Sequence, residues 1–201
     1  MVERLRNAPA TCLYVLSLLV TSATLRAARP GVRTELLHEL STNLSNMEHQ
    51  PIRVLILSAF WIDTVRVVPE LVIFVLVSVP AENWLGTARW IIVFVLGHVG
   101  ATVLTVAGIA IVTRDGHSDM HLLHTVDVGI SYGLYAIAAV LIYHLSGRGR
   151  VLYVLALAVS LGIASFFDAS FTDVGHVVAI GIGLACYPLT RSRPARQPAP
   201  S

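Results

Sequence analysis

Apolar residues run along this chain in long blocks, not at the alternate spacing of a half-buried strand or the three-and-four spacing of a soluble helix. A helix rising 1.5 Å per residue needs about 20 such residues to cross roughly 30 Å of hydrocarbon. By that measure the blocks predict six transmembrane helices, at about 10–27, 64–81, 87–112, 126–146, 151–167 and 172–190. A polar interval from Arg29 to Gln50 separates the first from the second. The apolar region that then runs from Pro51 to Ala81 is too long for one crossing and is broken by Asp63, Arg66 and Glu70. Polar groups at membrane depth are tolerated only inside protein or against water, so 51–62 reads as a re-entrant or interfacial segment. The expected fold is an all-α polytopic membrane protein with one membrane domain over 1–190. The tail RSRPARQPAPS, 191–201, is predicted to be disordered and cytoplasmic.

Composition agrees with a membrane protein: 55% of the 201 residues are hydrophobic, 13% are charged, and mean hydropathy is +0.73. All basic residues are arginine, and a dispersed net charge of +2 implies no nucleic acid or other polyanionic partner. Cys12 and Cys186 lie in apolar runs, where cysteine acts as a small hydrophobe. Six spans put both termini on one side. If that side is cytoplasmic, Arg4, Arg6, Arg89, Arg148, Arg150, Arg191, Arg193 and Arg196 lie inside, while Arg26, Arg29, Arg33, Arg53, Arg66 and Arg114 lie outside or in the re-entrant region. A cleaved signal peptide is the alternative for the first span, with TLRAA as its cleavage site, although the apolar stretch is long for that role.

The stretch VDVGISYGLYAI, 126–137, sets a serine between Gly129 and Gly133 in an apolar block. The fourth and sixth spans run in the same direction. Ser131 is about five residues into the fourth and His176 about four into the sixth, so a nucleophile and a base are expected at similar depth. Gly129 and Gly133, with Gly175, Ala179 and Gly183, repeat at four-residue intervals that let two helices approach. The same features also suit plain helix packing. Tyr135, one turn below Ser131, is placed to pack against the imidazole or to serve as a core residue.

Other polar clusters carry weaker signals. His117, His121 and His124, with Asp115 and Asp119, match no defined metal spacing, and a solvated external loop is the favoured reading, with no metal. Thr172 and Asp173 are expected to cap the sixth helix, and Asp173, three residues before His176, is the nearer of two carboxylates able to orient its ring. Asp127, one turn above Ser131, is the other. His98 inside the third span raises a proton-linked transporter, against which stands the lack of internal repeats or paired broken helices.

In order, these features resemble the rhomboid intramembrane serine proteases from about Pro51 to Pro188. PIRVLILSAF is similar to the segment where the long first loop re-enters, and AENWLGTAR to an E-x-x-x-G-x-x-R turn through Glu82, Gly86 and Arg89. GISYGLY resembles the G-x-S-G-x-x-Y stretch of the nucleophile, with Gly129, Ser131 and Tyr135 on it. GHVVAIGIG resembles the H-x-x-G-x-x-x-G helix of the general base, with His176 and Gly183 matching and Ala179 in place of a glycine. The resemblance implies a Ser131–His176 dyad without a required aspartate or cofactor, a transmembrane protein as substrate, and a bacterial cell membrane as location. Where the family holds the oxyanion with a histidine and an asparagine, this chain has Arg66 and Glu70, and Tyr132 replaces the glycine after the serine. Arg66 is an oxyanion donor or the i,i+4 partner of Glu70, and Tyr132 is expected to narrow the entrance. These departures support a second reading, a non-catalytic rhomboid-like protein that binds transmembrane partners. The oligomeric state is left open. Single cysteines placed at Asn46 and Pro198 should label from opposite sides of the membrane; labelling from the same side contradicts six spans.

Overall fold

Backbone amides in hydrocarbon must be satisfied within their own segment, so long apolar blocks fold as helices. The computed structural model describes residues 2–62, 67–114, 130–167 and 171–191, and these are helical with no strands. Among the described residues ten α-helices follow in order: α1 Val2–Arg6, α2 Pro9–Ala27, α3 Pro30–Glu39, α4 Leu44–His49, α5 Pro51–Leu57, α6 Val67–Leu85, α7 Thr87–Arg114, α8 Ser131–Leu141, α9 Gly147–Phe167 and α10 Phe171–Ala185. Among the described residues three segments are long and apolar enough to cross a membrane: Pro9–Ala27, Val67–Leu85 and Thr87–Ile111. Pro51–Phe60, Ser131–Leu141 and Thr172–Ala185 are shorter apolar helices. This is an all-α integral membrane protein.

Several helix boundaries differ from the predicted spans: α9 begins at Gly147 where the fifth span was expected from 151, and α10 ends at Ala185 where the sixth was expected to reach 190. The second span was expected to end at Ala81, but α6 continues through Pro80 to Leu85 and stops at Gly86, whose φ of 81° needs a residue without Cβ. The fourth span was expected to reach residue 146. Instead α8 covers 11 residues, about 16 Å, and tightens after Leu141 into three-residue hydrogen bonds from Tyr143 N–H to Val140 and from His144 N–H to Leu141. Ser131 is therefore the first residue of its helix and not five residues in. Composition misled here because Ile142, Tyr143 and Leu145 extend the apolar block past the helix end.

The segment predicted to re-enter does fold back against the bundle. Tyr14 O–H donates to the Ala59 carbonyl, and Thr21 Oγ1 donates to that of Phe60 at 2.7 Å. His98 Nε2 lies 3.1 Å from the Leu55 carbonyl and 3.3 Å from Ser58 Oγ. A carbonyl can only accept, so this nitrogen carries the proton. His98 is the twelfth residue of α7, which sets Leu55 well down the helix, about 16 Å from its start. His98, the residue that suggested proton transport, serves here as a tether for α5.

At the other end of the bundle, α2 starts at Pro9 with no capping side chain of its own. The fully buried carboxylate of Glu82 supplies the cap from α6, accepting from Ala10 N–H at 3.0 Å and from Thr11 N–H at 2.8 Å. It also accepts from Thr11 Oγ1 at 2.6 Å and from Thr87 Oγ1, at the start of α7, at 2.8 Å. Four donors on one buried carboxylate satisfy amides that would otherwise be orphaned at the helix start. The first span is thus bonded into the bundle.

Helices α7, α8 and α10 pack most extensively on one another, and α9 more sparsely. Ala136 is the reason the three come so close. A Cβ at Gly97 of α7 would overlap the Ala136 methyl, and one at Gly183 of α10 would overlap the Ala136 carbonyl oxygen. Gly133, expected to help meet the sixth span, faces the Phe94 ring of α7. Gly183→Ala must push backbone away and should cost about 1–3 kcal/mol. Gly181→Ala, two residues away on α10 with open space beside it, should be neutral or stabilising by up to about 1 kcal/mol. Thermal unfolding of both variants in detergent checks the contrast.

Candidate functional site

On α8, residues 131, 134, 135 and 138 follow the i, i+3, i+4, i+7 spacing of one helical face. Ser131, Leu134, Tyr135 and Ala138 accordingly line one cavity of about 420 Å³. The remaining walls are Glu70, Ile73 and Val77 of α6, Tyr153, Ala156, Leu157 and Ser160 of α9, and Thr172 and His176 of α10. Four residues expected at the site, Ser131, His176, Glu70 and Tyr135, therefore share one cavity. Gly129 and Arg66 lie outside the described residues, as do Asp63, Asp127 and the His117, His121, His124 loop.

Ser131 gains its place from the helix start. It is half-buried and follows Ile130, a fully buried residue at the N-cap. Leu134 N–H bonds back to the Ile130 carbonyl at 2.9 Å. Amide groups at a helix start face away from the helix body, and Ser131 stands at that start.

His176 is the sixth residue of α10 and is buried. Ser131 and His176 reach the same cavity although one opens its helix and the other stands a turn and a half into its own. Stagger between α8 and α10, and not an equal count from the helix starts, brings them together. Aromatic rings hold the imidazole: Tyr135 lies 4.4 Å away between centroids with a 41° tilt, and Tyr132 5.4 Å away, edge-on at 73°. Tyr135 thus packs on the imidazole as its spacing suggested. Its hydroxyl lies 3.4 Å from Ser160 Oγ, and Ser160 donates its own proton to the Leu157 carbonyl at 2.7 Å. The phenol is therefore the donor of the pair.

Tyr132 does not narrow the cavity. Being one position on from Ser131, it turns about 100° away and is buried against Ala101 and Ala179. Its ring fills the space that a Cβ at Gly175 would occupy. A glycine is needed there because Tyr132 stands where the resemblance led one to expect a glycine after the serine. Sequence reasoning also passed over Tyr153 and Ser160. Tyr153 O–H donates to the Ala138 carbonyl at 3.1 Å, and the two residues, seven apart, are hydroxyls on one face of the otherwise apolar run 151–164 of their helix. That spacing was the available signal.

Asp173 Oδ1 stands 4.0 Å from His176 Nδ1, and both side chains are largely buried. Serine, imidazole, carboxylates and a helix start around one cavity can support acyl transfer. Comparison with known families finds a match to the model described as rhomboid-like protein, over residues 3–196. No curated protein matches, and no solved structure does.

Replacing Tyr132 with alanine should leave a void against His176 and cost about 3–5 kcal/mol of stability without opening the entrance. Unfolding in detergent tests this; a Tyr132→Ala protein as stable as the parent would contradict the buried placement.

Proposed function

Since the chain belongs to the rhomboid-like protein family, we propose that it is an intramembrane serine endopeptidase that cleaves a transmembrane segment of another membrane protein. The proposal includes six spans and both termini in the cytoplasm. The observation that carries it is the meeting of Ser131 and His176 in one cavity, with Tyr135 stacked on the imidazole.

In this reading Ser131 Oγ attacks the peptide carbonyl carbon while His176 takes its proton. The carbonyl oxygen, now negative, is met by first-turn amides of α8 and by Arg66. The tetrahedral adduct collapses as His176 gives the proton to the leaving amine, which frees one product. Water then enters, loses a proton to His176 and releases the acyl group from Ser131. Every step moves a proton or electron pair between groups of this chain, substrate and water, and calls for no cofactor.

A wall of hydroxyls and a carboxylate suits this chemistry, because hydrolysis needs water at a site set among apolar helices. Glu70 supports a second reading: a carboxylate where the family has an oxyanion donor fits a protein that binds transmembrane partners without cutting them.

The two readings differ in the reactivity of Ser131 toward a fluorophosphonate probe in detergent. Labelling of the parent, lost in Ser131→Ala and reduced at least a hundredfold in His176→Ala, is expected of the enzyme. A folded parent that never labels favours the binding protein.

A further inference from the structure

We propose that Asp173 is a positioning residue for His176, set beside the serine–imidazole pair. This rests on the reading of Ser131 and His176 as nucleophile and base.

The two side chains are three residues apart on α10, on one face of the helix. Asp173 Oδ1 is 4.0 Å from His176 Nδ1, and the side chains are only 18% and 11% exposed. A carboxylate at the Nδ1 edge favours the tautomer with its proton there. Nε2, across the ring, is then the lone pair that takes the serine's proton. Tyr135 and Tyr132 pack on the ring and limit its tilt, but an aromatic contact does not choose between nitrogens. Asp173 supplies that choice.

The charge that forms during attack needs the same partner. Among the described residues, the charged and titratable groups around the ring are Asp173 on its own helix, Glu70 across the cavity on α6, and the phenols of Tyr135 and Tyr132 on α8. Of the two carboxylates, Asp173 is the one at ion-pair distance from the ring. At 4.0 Å the pair is looser than a hydrogen bond, and it is expected to tighten as the ring gains charge.

An acid in the first turn also stabilises a helix start whatever the chemistry, and the test separates these roles. Fluorophosphonate labelling rates of the full chain in detergent are measured against pH for the parent, Asp173→Asn and Asp173→Glu. The parent rate rises with pH as the imidazole becomes neutral. Without the carboxylate the ring loses its proton at lower pH, so in Asp173→Asn the midpoint should move acidward by about one unit. The plateau rate should fall about tenfold or more, and Asp173→Glu should recover most of it. Asn keeps the shape and the capping ability of Asp; should it fail to fold, Asp173→Ser carries the same expectation. A folded Asn or Ser variant with an unmoved midpoint overturns the proposal and leaves Asp173 as a helix-end residue. If the parent never labels, it is the protease reading that falls. NMR titration of the His176 imidazole, assigned with His176→Ala, then decides the contact: an acidward shift in Asp173→Asn supports the pairing, and no shift overturns it.

Discussion

The contact of Ala136 with Gly97 on one side and Gly183 on the other is the constraint on which the rest of the site depends. Lipid chains are as apolar as leucine, so helices in a membrane gain little by hiding apolar surface from each other; close packing of small residues takes over that role. Because α8 meets α7 and α10 backbone to backbone at this point, its faces are fixed. Tyr132, Ala136 and Ala139 turn toward the two neighbours, which leaves Ser131, Leu134, Tyr135 and Ala138 for the cavity. The same contact sets the stagger of α10 that brings His176 beside Tyr135.

A second fixed point lies at the opposite end, where Glu82 closes the start of α2 and bonds the start of α7. A buried carboxylate costs several kcal/mol to desolvate, and here four donors offset that cost while their own need for partners is met. Polar groups are used sparingly between these two points. His98 and Thr21 hold the re-entering segment by its carbonyls, and Tyr153 and Ser160 hold α9 to α8. The α9 helix is the least tightly packed wall of the cavity, and Val151, Leu152, Leu155 and Val159 on it are exposed, an apolar face suited to lipid.

Several elements were legible in the chain alone because they rest on local rules. Blocks of apolar residues foretold the helices α2, α6 and α7 to within a few residues. Of the small residues at intervals of four, Gly183 does mark a place where backbones meet, and Tyr135, four after Ser131, had to share its face. The break at Asp63, Arg66 and Glu70 marked the segment that folds back. Depth counted along the fourth and sixth spans, and then the family resemblance, led to the expectation that Ser131 and His176 come near each other, and both line one cavity.

Helix starts and the direction of single side chains were decided elsewhere. Hydropathy cannot tell that α8 stops at Leu141, because the turn residues after it are as apolar as the helix. It cannot tell that Gly133 faces Phe94 while Gly175 makes room for Tyr132, since both are glycines in the same kind of run. Nor does it give the trans cap of Glu82 on α2, whose partners are more than 70 residues apart. A sequence determines which residues share a helical face, because that follows from 3.6 residues per turn. Which neighbour each face meets depends on how the helices stagger and rotate against one another, and only close packing of the whole bundle decides that.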